Sequence, residues 1–300
     1  MTAAGYFGTG IKKPGGRGKA QKSLDLIAAA RAFLSEAHPT SVRGVAYHLF
    51  TTGIIRSMAK SETAKVSRLL TDAREAGTIP WAWLVDETRR VERDPQWTDP
   101  EAFVATVRES YRRDFWAEQP VRVEVWSEKG TVRGILAPVL SEYGVGFQVM
   151  HGFASATSIN NIAEGDDGRP LVALYVGDWD PSGLYMSWQD LPDRLARYGA
   201  HHVAVDRVAL TVDDVLNGGL PSFPASDKRS DPRYRWFRAS YGDRCWEIDA
   251  MHPTTLRDRV RDAIRRHIEP VAWARCARAQ EAETDSLQTV LDTWPTRGTP

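Results

Sequence analysis

The segment RPLVALYVGDWDPSG, residues 169–183, constrains the fold more than any other stretch. Leu171 to Val176 is an apolar run of strand length, suited to a strand buried on both faces. Two aspartates, Asp178 and Asp180, follow it at once, and Pro181 fits the first turn of a helix. Upstream, VRVEVW alternates Val121, Val123 and Val125 with polar residues, the pattern of a second strand, and Glu128 lies just past its end. Helical periodicity between such strands predicts a parallel sheet with crossover helices. In an open parallel sheet, ligands sit beyond the carboxyl ends of the strands. If the two strands are neighbours, Glu128, Asp178 and Asp180 meet at one edge. Three carboxylates repel one another unless a cation stands between them, and oxygen donors alone select a hard ion such as Mg²⁺. Capping the helix at Pro181 needs only one aspartate, so the pair asks for more than a cap. Glu124, in mid-strand, is a weaker candidate.

The N-terminal third has a different rhythm. Leu24, Ile27, Ala30, Phe33 and Leu34 fall at helical spacing, which predicts a helix over 23–36 capped by Ser23 and ended by His38-Pro39. A second helix over 42–50, capped by Thr40 or Ser41, stops at Gly53, and a third over 61–76 stops at Gly77. IPWAWLVDETRR, 79–90, reads as a strand or hairpin. Three short helices followed by a β-ribbon is the order of a winged helix-turn-helix. The expected organisation is a basic arm (1–22), a winged-helix domain (23–95), a connector (96–118) with a helix near its start, an α/β domain (119–275) and a polar tail (276–300). Residues 215–241, rich in Pro, Asp and Arg, read as a surface loop, and 255–275 as one amphipathic helix. The fold class is therefore α/β plus a small α+β unit.

Formal net charge is zero over 300 residues. Its distribution is uneven: residues 1–60 hold nine lysines and arginines against Asp25 and Glu36 alone. A basic end on a neutral chain suits a polyanion such as double-stranded DNA. On the third helix Lys60, Lys65, Arg68 and Arg74 supply cations for phosphate, with Ser67 and Thr71 as hydrogen-bonding groups, and Arg89 and Arg90 end the ribbon. Glu62, Asp72 and Glu75 interrupt that face, which argues against tight sequence readout. Two cysteines, Cys245 and Cys276, lack zinc or disulfide spacing and fit a reducing cytoplasm. No apolar run has membrane-spanning length, so no membrane partner is expected. The histidines, including His201 and His202, show no ligand spacing.

VWSEKG followed by YVGDWDPSG resembles the Toprim signature of the topoisomerase VI A subunit and its DNA-cleaving relatives, among them the nuclease subunit of Wadjet plasmid-defence systems. TSVRGVAYHLF, 40–50, is similar to the motif around that family's DNA-cleaving tyrosine. KVSRLLTDAREAGTIPWAWLVDETR is similar to its helix-and-wing segment, and RCWEIDAM, 244–251, to a glutamate-bearing segment after its Toprim core. The resemblance covers roughly 40–275. It implies a Toprim domain holding Mg²⁺ on Glu128, Asp178 and Asp180, with Tyr47 as nucleophile and Arg43 near the scissile phosphate. It also implies a homodimer, a separately encoded ATPase partner and a place on the nucleoid. From the residues alone, Tyr47 equally suits the core of a three-helix unit beside Val45, Leu49 and Phe50. Three readings follow: a tyrosine-dependent transesterase, a Toprim nuclease that uses water, and a non-catalytic DNA-binding subunit.

Overall fold

The structure is a computed structural model that describes residues 21–84, 94–150, 156–165 and 167–293. Four short apolar segments build its central sheet: β1 (Arg122–Ser127), β2 (Gly146–Val149), β3 (Leu171–Val176) and β4 (Val203–Ala209). They pair in the order β2-β1-β3-β4, all parallel. The chain passes from β1 to β2 on one side, then returns to place β3 on the other side of β1. That reversal makes the β1/β3 crevice the topological switch point, where α/β sheets open a ligand-sized cleft. Register sets Ser127 beside Val176, so residues that follow both strands emerge side by side.

Helices cover both faces because both strand faces are apolar. Val123, Val125, Leu174 and Val176 pack with α5 (Gly130–Tyr143), α11 (Pro253–Arg265) and Phe237. Trp126, Ala173 and Tyr175 face the other way, into Ile159 of α6 (Ala156–Glu164) and the helical run after β3. That run comprises α7 (Pro181–Tyr185), a π-helical turn over Met186–Asp190 and α8 (Leu191–Arg197).

The N-terminal segment forms a separate core from α1 (Gln21–Ala37), α2 (Val42–Thr51) and α3 (Lys60–Glu75). Ser41 caps α2, its hydroxyl accepting from Gly44 N. Ser23 lies inside α1 rather than at its cap. Of the expected ribbon, Trp81–Trp83 make a 3₁₀ turn and Leu84 bridges Thr40 in parallel; the remainder, 85–90 with Arg89 and Arg90, falls outside the described residues.

Three segments differ from the sequence expectation. Residues 212–241 are built rather than looped: they form α9 (Val212–Asn217), β5 (Phe223–Pro224), a 3₁₀ turn (Ala225–Lys228) and α10 (Tyr234–Tyr241). β5 pairs antiparallel with β6 (Arg244–Cys245). The expected helix over 255–275 is two helices, since Pro270 opens a new one capped by Glu269. That helix, α12 (Pro270–Asp292), takes in most of the expected polar tail. It packs on the connector: Tyr111, at the end of α4 (Pro100–Ser110), donates to Glu283 at 2.5 Å, and Arg113 N donates to Gln280 Oε1 at 2.9 Å.

Candidate acidic site

Glu128 and Lys129 follow β1, and Lys129 stands at the cap position of α5. After β3 the chain turns through Gly177, whose N–H donates to Ala209 O at 2.7 Å. Asp180 is the N-cap of α7: its Oδ1 accepts from Gly183 N at 2.7 Å and from Ser182 Oγ at 2.9 Å. The loop is close-packed, and a Cβ at Gly183 would run into the backbone carbonyl oxygen of Asp178. Arg207 of β4 ties it from below. Its guanidinium donates to the carbonyls of Gly177, Asp178, Gly183 and Leu210 and to Ser187 Oγ. Burial pulls its pKa down to about 10. Five acceptors for five N–H groups leave that buried cation fully satisfied.

Trp179 and Trp246 exchange backbone hydrogen bonds, each 2.9 Å, in an antiparallel bridge. The bridge brings Glu247 and Asp249 to the same edge, and Ile248 N donates to Asp178 Oδ1 at 2.8 Å. From the helical unit, Ser41 Oγ donates to Asp249 Oδ1 at 2.7 Å, and Arg43 clasps Glu247 through two guanidinium nitrogens.

The edge thus gathers five carboxylates, Glu128, Asp178, Asp180, Glu247 and Asp249, around internal cations. Lys129 Nζ sits 2.9 Å from both Asp178 Oδ1 and Asp249 Oδ2 and 3.8 Å from Glu247. Lys228, at the end of the 3₁₀ turn, reaches Asp180 Oδ2 at 2.9 Å. Burial, then Asp180 and Asp178, push the Glu128 carboxyl above its ordinary range. Burial and Asp180 likewise raise Asp178, with Lys129 opposing. Burial acts against ionisation of Asp180, yet Lys228 and the Gly183 N–H hold it below the usual range. Glu128 thus feels the charge of both aspartates, and Asp178 that of Asp180.

Among the described residues no three His, Cys, Asp or Glu side chains are already drawn together as a metal shell. The two ammonium groups occupy the counter-ion positions instead. The donor chemistry nonetheless fits a hard divalent cation. All donors are oxygens, Glu128 has no hydrogen bond or ion pair among the described residues, and Asp178 Oδ2 is likewise uncommitted.

A cavity of about 590 Å³ opens over the site, lined by Ser41, Arg43, Ser67, Arg74, Lys129, Asp178 and Lys228 among others. Ser67 and Arg74 belong to α3, so that helix and the acids share one space. Arg74 lies over the Trp81 ring at 4.6 Å, whereas Lys60, Lys65 and Arg68 are exposed. A second cavity, about 490 Å³, holds Tyr47, Arg56 and Phe223, and it too is lined by Arg43 and Glu247. The Arg43–Glu247 clasp is therefore a wall shared by the two. Tyr47 is 4% exposed. Burial first, then Glu247, raises its hydroxyl above the ordinary tyrosine range. Glu124, the weaker candidate, accepts from Trp126 Nε1 at 2.8 Å and stays out of the site.

Sequence reasoning nominated Glu128, Asp178, Asp180, Arg43 and Tyr47, and missed Lys129, Lys228, Arg207 and Asp249. Lys129 stands in VWSEKG beside a nominated acid, a signal that was there to use; Lys228 was hidden in a segment read as loop. Both cysteines are free and buried. No helix among the described residues is long and apolar enough to cross a membrane. In comparisons with known proteins, neither a family model nor a curated protein sequence matches the chain.

Proposed function

We propose that the chain is a Mg²⁺-dependent DNA-cleaving protein, with a Toprim-type acidic centre at the β1/β3 edge and a winged-helix-like unit that presents DNA to it. The observation that carries this is that Glu128 follows β1 while Asp178 and Asp180 follow the adjacent parallel strand β3, with Asp178 in the lining of a cavity also lined by Ser67 and Arg74 of α3. Glu128, Asp178 and Asp180 would hold the ion. Bound there, Mg²⁺ supplies charge stabilisation on the phosphate and lowers the pKa of a coordinated water. Arg207 and the Asp180 cap keep the two aspartates in place without using Asp178 Oδ2. Lys129 and Lys228 pair with the acids here, and with an ion taking over that charge they would be free to meet phosphate oxygens.

The burial of Tyr47 favours water over the phenol as nucleophile. A phenol whose ionisation is opposed by burial and by Glu247 is a weak nucleophile without a base, and Arg43 is already committed to Glu247. Tyr47 then packs α2. Double-stranded DNA, a second copy of the chain and a separately encoded ATPase subunit are the partners that accompany this proposal.

The test is cleavage of supercoiled plasmid with and without Mg²⁺. Wild type should cut, Asp178→Ala should not, and Tyr47→Phe should retain activity. Loss of cutting in Tyr47→Phe, with wild-type protein attached to the 5′ ends, would transfer the nucleophile role to Tyr47. Undiminished cutting by Asp178→Ala would overturn the acidic centre itself, and salt-sensitive binding without cutting would indicate a non-catalytic subunit.

A further inference from the structure

The chain is neutral overall, yet α10 carries a basic face that the acidic site does not use. Arg235 and Arg238 lie three residues apart and therefore share one side of the helix, and both are exposed. The opposite side is fixed: Phe237 is fully buried, and Trp236 packs edge-on against Tyr185 and Tyr241 with ring centroids 5.6 and 5.3 Å away. The arginines thus project from a helix with a rigid underlay. They line an open groove of about 750 Å³ together with Arg229. Among the described residues the side chains of Arg229, Arg235 and Arg238 make no ion pair or hydrogen bond. The acid in the lining, Asp231, is already paired with Arg233 at 2.6 Å. The groove presents unneutralised guanidinium groups, the side chain best matched to phosphate oxygens.

Its position gives the groove a direction. Arg229 directly follows Lys228, whose ammonium touches Asp180, and Lys228 lines the same cavity as Arg74 of α3. The arginine groove thus begins one residue after a lysine that touches the acidic site and shares a cavity with α3.

We propose that this groove is a phosphate track, in which Arg229, Arg235 and Arg238 hold the nucleic-acid backbone beyond the Lys228 edge of the acidic site. The assignment rests on DNA being what the chain binds, and it is separable from whether the chain cuts it. An acidic peptide or an anionic membrane is less well matched, because Lys228, next to Arg229 in the chain, touches a site suited to a phosphodiester.

The test measures binding of a fluorescent DNA duplex to the full chain over a salt series. It compares wild type, the Arg229→Gln/Arg235→Gln/Arg238→Gln triple variant, the corresponding triple Arg→Lys variant and Arg235→Glu alone. Each lost phosphate contact should reduce the slope of log affinity against log salt by roughly 0.9, so the glutamine variant should lose about 2 to 3. The lysine variant should keep most of the slope, and Arg235→Glu should weaken binding on its own if the triple variant fails to fold. A reduced slope in a protein that never cuts plasmid supports the track while refuting the cleavage proposal. An unchanged slope in both the folded glutamine variant and Arg235→Glu overturns the track, even if wild type cuts. Loss of binding to anionic vesicles or polyglutamate, with the DNA slope unchanged, overturns it as well.

Discussion

Lys129 lies between Asp178 and Asp249 with Glu247 close by, so one ammonium compensates a set of carboxylates that would otherwise repel. Removing one member of a largely buried ionic cluster leaves the others uncompensated, at a cost of about 3 kcal/mol. Lys129→Met should lower unfolding stability by that order in urea titration without added metal. Because the variant lacks its internal counter-ion, Mg²⁺ should raise its Tm more than it raises that of wild type. An equal rise in both would mean that Lys129 and the ion do not compete for the same carboxylates. The aspartates were legible as residues because a strand end followed by Asp-x-Asp-Pro is locally demanding. Asp249 was not, since nothing near RCWEIDAM shows that Trp246 will bridge Trp179 some 67 positions earlier in the chain.

Elements were legible where one physical signal dominated them. β3 matches its apolar run residue for residue, because a central parallel strand must be apolar on both faces. Residues 212–241 were not legible, because their elements are short and their apolar residues, Phe223 and Phe237, are scattered among Pro, Asp and Arg. α9 in that region is held by its start. Thr211 and Asp214 form a capping box, and Arg259 of α11 pairs with Asp214. Burial opposes ionisation of Asp214, but Arg259 and the Thr211 groups outweigh it and hold the carboxyl below its ordinary range. A depressed folded-state pKa contributes stability above the ordinary aspartate range, and that contribution fades as pH falls through the folded value. Asp214→Asn should therefore cost about 1 kcal/mol near neutrality. The gap from wild type should close in acid, as read by thermal melts across a pH series. A gap that stays constant with pH would mean the carboxylate charge contributes nothing there.

At the scale of the molecule, two separately cored units meet across the acidic site. Arg257 of α11 donates to Ile135 O at 2.9 Å on one unit and to Ala37 O and Pro39 O, at 2.8 and 2.9 Å, on the other. Ser41–Asp249, Arg43–Glu247 and the Phe33–His252 ring contact add to the join. The join is side-chain chemistry between residues distant in sequence, and the exposed stretch 94–99 makes none of these contacts. Insertion of a specific protease site after Pro95, followed by cleavage, should leave fragments that still co-elute on size exclusion. Arg257→Ala should make the cut pieces separate at lower salt than wild-type pieces do. Continuity of the polypeptide is then incidental to assembly of the acidic edge. Encoded as two polypeptides split at that point, the halves would reconstitute it by association, and activity would acquire a dependence on protein concentration.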